Sequence, residues 1–359
     1  MDNINIHRVL VAPLDWGLGH ATRCIALIRS LQELHYEVLI AADGAQAALL
    51  TGEFPELTIL YLKGYHIKYA RTVFGLYKKL IIQIPRIVKA IHEEHFWLQD
   101  IITTYQIDLV ISDNRYGLYS DKIPCIFMTH QLIIKAPFAF IESILRKINY
   151  HYINRFTTCW VPDAAGEKNI AGLLSHPRTL PKIPTHYLGL LARVHKKKSP
   201  PIYHYCFLIS GPEPQRSRLE SLVLKALPKI SGKILLIRGL PESKEQLTVP
   251  KNTRVYNHLS TSDIQDAIQA SEMVVCRSGY TSLMELICLQ KKAFIIPTPG
   301  QTEQEYLSKK LMQESIFYSS SQKNMELLNE LGEAKKFKSV FPEISIFTTK
   351  TLEGLLNNL

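Results

Sequence analysis

Short apolar runs without in-and-out alternation, each followed by a segment of helical period, recur along the whole chain and constrain its fold more than any other feature. Val9–Ala12, Val38–Ala42, Thr58–Leu62, Leu109–Ser112, Cys125–Met128 and Cys159–Val161 form one series. Tyr203–Ser210, Lys233–Ile237, Arg254–Tyr256, Met273–Cys276, Ala293–Ile296 and Ile316–Tyr318 form another. Such runs suit parallel strands covered by helices on both faces. From Ala21 onward, Ile25, Ile28, Leu31 and Leu34 share one helical stripe, so the opening reads strand, glycine loop, helix, strand. Leu191–Pro201, with its basic run and paired prolines, can neither continue a helix nor enter a central strand. The expected fold class is α/β, with two tandem doubly wound, Rossmann-like domains facing a cleft. Their expected bounds are 1–192 and 203–359 around a linker at 193–202, and the last helix is free to pack back on the first domain.

A chain of 359 residues suits two cores of about 100–200 residues each. At 46% hydrophobic and 21% charged residues the composition excludes disorder and a disulfide mini-fold. No stretch approaches the ~20 apolar residues of a membrane span. The opening Met-Asp-Asn-Ile-Asn-Ile carries no basic, then apolar, secretory pattern, so a cytoplasmic protein is expected. Six scattered cysteines without a CxxC pair read as reduced core residues. A formal charge of +10 favours an anionic partner: nucleic acid, anionic lipid or a phosphorylated substrate. Neither an interleaved aromatic platform nor a helix-turn-helix signature supports nucleic acid.

Three segments have the makings of a site. Asp15-Trp-Gly-Leu-Gly-His-Ala-Thr-Arg23 follows the first strand, where Gly17 and Gly19 allow a tight turn and a helix start offers N–H groups to a polar ligand. Thr22 stands where a dinucleotide fingerprint has its third glycine, which weakens a nicotinamide reading. His20 is either a general base or a histidine that hydrogen-bonds the turn, and Asp15 is a base, an orienting partner or a loop cap. Ser210-Gly-Pro-Glu-Pro-Gln-Arg216 is a second strand-to-helix turn, in which Ser210 and Gly211 can receive a phosphate and Arg216 can add charge. Arg277-Ser-Gly-Tyr-Thr-Ser-Leu-Met-Glu285, followed by Gln301-Thr-Glu-Gln-Glu-Tyr306, is the most specific. N–H groups at Ser278 and Gly279 can hold a diphosphate, Glu285 can accept from ribose hydroxyls, and Gln304 and Glu305 head the next helix. A capping role accounts for Ser278 alone but not for the set.

These residues carry a family resemblance. The Arg277-Ser-Gly run ending at Glu285, the later Glu303-Gln-Glu-Tyr306 and the Gly17-x-Gly-His20 loop resemble the MurG-like glycosyltransferases of family 28, which have the GT-B fold. The likeness spans both domains and is strongest from about Val255 to Leu311. It implies a carboxyl-terminal domain that binds a UDP-sugar and an amino-terminal domain that presents a lipid-linked acceptor. It places Glu285 on ribose, Ser278 and Gly279 on phosphate, Gln304 and Glu305 on the sugar, and His20 in the acceptor loop. His130, in Met-Thr-His-Gln131, partly matches a His-Glu-Gln stretch near the cleft and joins Gly17 and Gly19 as acceptor-binding. Backbone groups near His258 and Leu259 are expected at the base. Position 305 is Glu where the family has Gln, and the Ser210–Gln215 loop has fewer glycines than its counterpart.

The implied reaction is inverting transfer of a hexose or N-acetylhexosamine, with His20 or Asp15 as base, Arg277 and the Ser278 helix start holding the diphosphate, and no cofactor. The chain has no Asp-x-Asp pair for a divalent cation, so no metal is expected; backbone donors can take that role. His92-Glu-Glu-His95 is not the HExxH zinc pattern. Tyr65–Trp97 mixes Lys68, Arg71, Lys78, Lys79, Arg86 and Lys89 with apolar residues. It reads either as a surface resting on anionic lipid, peripheral on the inner face of the cell membrane, or as a helix packed on its own domain. A nucleotide-sugar epimerase of the same architecture and a non-catalytic nucleotide-sugar-binding protein are the alternatives.

Overall fold

The computed structural model describes residues 6–65, 73–136, 138–192, 200–240 and 243–359. Residues 193–199 of the expected linker and 66–72 of the basic stretch lie outside them, as do the side chains of 73–82. The chain divides into two compact units, one of Met1–Lys68, Tyr77–Arg193 and Glu343–Leu359, the other of Tyr69–Leu76 and Val194–Pro342. Among the described residues no helix is long and apolar enough to cross a membrane.

The first unit is a seven-stranded sheet of β1 (Arg8–Pro13), β2 (Glu37–Ala42), β3 (Thr58–Tyr61), β4 (Leu109–Asp113), β5 (Cys125–Met128), β6 (Thr158–Val161) and β7 (Thr185–Tyr187), in the order β3-β2-β1-β4-β5-β6-β7. Every pairing is parallel. β1, β4, β5 and β6 are buried on both faces, which explains their unalternating sequences. Helices α1 (Leu18–Glu33), α2 (Gly44–Glu53), α3 (Val73–Tyr105) and α4 (Ala139–Ile153) complete the crossovers. The short β7 was not legible as a strand: none of its three residues is fully buried.

The second unit repeats the plan with β8 (Tyr203–Leu208), β9 (Ile234–Ile237), β10 (Thr253–Tyr256), β11 (Ser271–Arg277), β12 (Ala293–Ile296) and β13 (Tyr318–Ser319), ordered β10-β9-β8-β11-β12-β13 and again all parallel. Its helices are α5 (Gln215–Ala226), α6 (Thr261–Gln269), α7 (Tyr280–Cys288), α8 (Thr302–Gln313) and α9 (Leu327–Lys336). Phe207, Leu236, Val275 and Phe294 from four adjacent strands share one core with Leu219 and Val223 of α5 and Leu331 of α9.

The chain then returns to the first unit. Leu190 and Ile346 form a parallel bridge, and Gly189, at φ +80°, permits it: a Cβ there would stand 2.8 Å from the Ser345 carbonyl oxygen. The last helix, α10 (Thr349–Leu356), is capped by Thr348 and pairs with α1 through Ser30 and Thr349, whose hydroxyls stand 3.1 Å apart. Leu352 is fully buried there, and truncating such a side chain costs ~2–5 kcal/mol.

In both sheets the strand order reverses once, between β1 and β4 and between β8 and β11. A parallel sheet opens a crevice at that place, beyond the carboxyl ends of its strands. The Asp15–Arg23 and Ser210–Arg216 segments leave the strands on one side of each reversal, and Arg277–Glu285 leaves β11 on the other.

Candidate active site

In the first unit Gly17 makes the turn alone, at φ +85°, and α1 begins at Leu18, a turn earlier than expected. Gly19 is therefore helical, and His20 projects from the first helical turn. Its Nδ1 lies 3.1 Å from Oδ2 of Asp113, the last residue of β4. Pro13 pairs with Asp113 across the reversal, so the sheet itself fixes this approach. Arg23, one turn beyond His20, donates from Nε to Asp113 Oδ2 at 2.7 Å and from Nη2 to Oδ1. Its Nη1 stands 2.9 Å from His130 Nδ1. Asp113 is fully buried, Arg23 and His130 nearly so, and the His20 side chain keeps 13% of its exposure. Burial alone raises the Asp113 carboxyl, but Arg23 and His20 overcome it and hold the group well below the usual carboxylate range. The result is an ionised carboxylate orienting an imidazole at the mouth of a crevice.

Asp15 is placed differently. Its carboxylate accepts from the Tyr65 N–H at 2.9 Å, and a Cβ on Gly64 would come within 2.4 Å of its Oδ2. Among the three roles open to it, the geometry favours the loop brace. Arg115, fully buried, supports the same rim by donating to Glu94 at 2.7 Å and to the carbonyls of Pro13 and Lys63. Burial keeps the Glu94 carboxyl raised in spite of that guanidinium.

In the second unit Arg277 closes β11 and is 2% exposed. It donates only to carbonyls, those of Gln215 at 2.8 Å, Pro297 at 3.2 Å and Ile296 at 3.4 Å. No carboxylate of the described residues pairs with it, and its Nε is buried without a partner. Burial pulls the guanidinium down, the opposite of the usual ion-paired arginine. Beside it, Thr298 Oγ1 is likewise buried and unpartnered. Gly211, at φ +108°, faces both: a Cβ there would be 3.6 Å from Thr298 Oγ1 and 3.7 Å from Arg277 Nε. The α7 start has Gly279 at its cap, a residue with no side chain to cap the helix. Ser278 instead donates to the Gln304 carbonyl at 3.1 Å, which sets aside the capping role.

Gln304 and Glu305 lie in the first turn of α8 and brace the loop before it. Gln304 Oε1 accepts from the Thr298 N–H at 2.9 Å and Glu305 Oε1 from the Gly300 N–H at 3.0 Å. Glu285 is buried in α7, and His258 and Leu259 lie in the loop after β10, His258 exposed. Arg216 departs from its expected use. Its guanidinium is taken up by Glu213 at 2.7 Å, Glu220 at 3.0 Å and the Arg238 carbonyl at 3.0 Å, so it locks the turn after Ser210 rather than offering charge to a ligand.

Sequence reasoning missed Asp113, Arg23 and Thr298. The signals were an aspartate ending a buried strand, an arginine three residues after a loop histidine, and a hydroxyl after the β12 strand. Among the described residues no three His, Cys, Asp or Glu side chains gather to hold a metal ion.

Residues 207–340 match the family model described as the glycosyltransferase family 28 C-terminal domain. An uncharacterized glycosyltransferase of Methanosarcina acetivorans is 23% identical over 323 residues, 83% of this chain and 81% of that protein. A UDP-N-acetylglucosamine–N-acetylmuramyl-(pentapeptide) pyrophosphoryl-undecaprenol N-acetylglucosamine transferase of Sulfurihydrogenibium is 29% identical over 94 residues, 26% of this chain and 25% of that protein. The structure of Acinetobacter baumannii MurG superposes with a TM-score of 0.55 at 14% identity, covering 99% of this chain and all of that one. At that identity the structural likeness speaks for the fold alone.

Proposed function

Since the chain is a MurG-like glycosyltransferase of family 28 with the GT-B fold, we propose that it moves a hexose or N-acetylhexosamine from a nucleotide-diphosphate sugar to a hydroxyl of a lipid-linked acceptor. The proposed donor is a UDP-sugar, and transfer proceeds with inversion and without metal or cofactor. The observation that carries the donor half is Arg277, a buried guanidinium at a strand reversal that has no counter-ion among the described residues. An isolated buried charge is costly unless an anion completes it. A diphosphate between Gly211 and the α7 start would receive Arg277 Nε, the Thr298 hydroxyl and the N–H groups at Ser278 and Gly279. Glu285 and the His258–Leu259 loop are assigned to ribose and base, and Gln304 to the sugar. Glu305, engaged with the Gly300 N–H, shapes the loop that the sugar meets.

In the proposed reaction the acceptor oxygen bonds to the anomeric carbon while His20 Nε2 takes its proton. The bond from that carbon to the diphosphate oxygen breaks, and its electron pair leaves with the nucleoside diphosphate. Asp113 holds the imidazole with Nε2 bare and offsets the charge it gains. A single displacement from the opposite face gives inversion. Gly17, Gly19 and His130, near His20 in the first unit, are assigned to the acceptor.

The lipid-linked acceptor is supported by α4. Phe140, Ile144 and Ile148 recur one turn apart on its outward face and are 66%, 53% and 51% exposed, and Phe138 stacks on Phe140. An outward apolar stripe beside Arg146 and Lys147 reverses the usual order of a surface helix and suits the face of an anionic bilayer. A cytoplasmic protein, peripheral on the inner face of the cell membrane, follows from this reading.

Calorimetric titration with UDP, GDP, TDP and the matching monophosphates tests the donor half. Binding that requires the second phosphate supports it; equal affinity for mono- and diphosphates would remove the role given to Arg277.

A further inference from the structure

The loop assigned to the base is short and is held at both ends. His258 and Leu259 lie between Asn257, which follows β10, and Ser260, the N-cap of α6. Ser260 Oγ accepts from the Asp263 N–H at 3.2 Å, and Thr261 after it is buried. Asn257 is held by its whole amide. Its Oδ1 accepts from Arg238 Nη1 at 2.9 Å, and its Nδ2 donates to the carbonyls of Ser243 at 2.8 Å and Glu245 at 2.9 Å. A guanidinium only donates and a carbonyl only accepts, so this orientation of the amide is the one that satisfies all three. The Asn257 carbonyl itself takes the Leu240 N–H at 2.7 Å.

Arg238 links that hold to the phosphate loop. It stands just past β9 and is 3% exposed. Its Nε donates to Glu220 Oε1 at 2.6 Å and its Nη2 to Glu245 at 2.9 Å. Glu220, on α5, also accepts from Arg216 Nη2 at 3.0 Å, and Arg216 Nη1 donates to the Arg238 carbonyl at 3.0 Å. Next to Arg238, Gly239, at φ +66°, packs so closely on Ile209 that a Cβ there would run into the Ile209 carbonyl oxygen. Ile209 immediately precedes Ser210. With its backbone Arg238 therefore meets the arginine that locks the Ser210 turn, and with its side chain it meets the residue that anchors the base loop. Buried ion pairs of this kind add little stability over apolar residues of the same size. What this one fixes is the spacing of two loops.

We propose that Arg238 is a positioning residue for nucleobase selectivity: by tying Asn257 to the Ser210–Arg216 turn, it sets where the backbone groups of His258 and Leu259 meet the base, relative to the diphosphate. The proposal rests on the donor reading of the second unit. A backbone N–H or C=O cannot be re-aimed by a change of rotamer, and its hydrogen bond weakens steeply with misalignment. Loosening Asn257 should therefore cost the matched base more than the others. The groups assigned to the diphosphate, Arg277, Thr298 and the α7 start, do not depend on it.

Calorimetric titration of the full-length wild-type protein, Arg238→Met and Asn257→Ala with UDP, GDP and TDP, and with the monophosphate of the preferred base, tests it. In Arg238→Met the buried Glu220 keeps Arg216 as its partner, and the backbone bond from Arg216 is unaffected. Asn257→Ala leaves the pairing of both arginines with Glu220 intact, and it decides alone if Arg238→Met does not fold. The expected wild-type preference for one base is about tenfold or more, and both variants should bring the three diphosphates within about threefold of one another by weakening the preferred one. The advantage of the diphosphate over the monophosphate should stay as it is in the wild-type protein. An unchanged base preference in folded variants overturns the proposal. So does a loss of preference accompanied by loss of the diphosphate advantage, which would mark general disruption of the site. Wild-type protein that binds the three diphosphates equally removes the proposal and leaves the donor reading; wild-type protein that binds none removes both.

Discussion

Replacing Arg277 by methionine should separate ligand binding from stability. The guanidinium is 2% exposed and, among the described residues, has three carbonyl acceptors, one unpartnered nitrogen and no carboxylate. Methionine fills similar space and carries no charge. Freeing the fold of a buried cation returns several kcal/mol, while each abandoned carbonyl costs about 1 kcal/mol. These terms oppose each other, and the stability of the ligand-free protein should change by less than ~2 kcal/mol. Donor binding has no such compensation. A hydrogen bond to a charged group is worth ~1.5–3 kcal/mol, and a loss of ~2 kcal/mol weakens binding about thirtyfold. With UDP at about one hundred times the wild-type Kd, ligand stabilisation should fall from ~2.7 to ~0.9 kcal/mol. Thermal unfolding with and without UDP, GDP and TDP reads both quantities in one experiment. A strongly destabilised variant that keeps the full ligand shift would show that Arg277 serves the fold and not the phosphates.

Asp113→Asn should lower kcat by ~10²–10⁴ and destabilise the protein by ~3–5 kcal/mol, because Arg23 is left buried without its counter-ion; steady-state rates and urea unfolding check the two effects. The Asp113 carboxyl is held below its ordinary value, so the stability it contributes is present above about pH 4 and is lost as the pH falls from there toward its depressed folded value. Urea midpoints measured down to pH 2 should therefore fall less steeply in Asp113→Asn than in the wild-type protein. Transfer should survive EDTA undiminished, and an absolute need for magnesium or manganese in a purified assay would contradict the role given to α7 and Arg277. The protein should float with anionic phosphatidylglycerol vesicles at low salt, and Ile144→Glu with Ile148→Glu should release it; unchanged flotation would dissociate α4 from the membrane.

The doubly wound fold was legible because parallel strands buried on both faces leave a plain mark, and β1, β4, β5 and β6 bear it. Boundaries were less legible where one glycine did the work of two. Gly17 alone turns the chain, so α1 starts before Gly19 and carries His20 on its first turn. The residues around Arg277 were readable as a local run, since strand end, turn and helix follow one another within nine residues. Asp113 was not, because its meaning comes from the pairing of β1 with β4 across about one hundred residues of sequence, which only the strand order supplies. Arg216 looked like a phosphate ligand for the same reason: nothing near it in sequence announces the Arg238 carbonyl that occupies its Nη1.

The most direct test of the central claim is release of nucleoside diphosphate from a panel of UDP-, GDP- and TDP-hexoses and N-acetylhexosamines, incubated with the full-length protein and a total lipid extract. The expected result is release from one donor class that depends on the extract and is lost in His20→Ala. No release above the enzyme-free control with any donor, or release undiminished in His20→Ala, would contradict it.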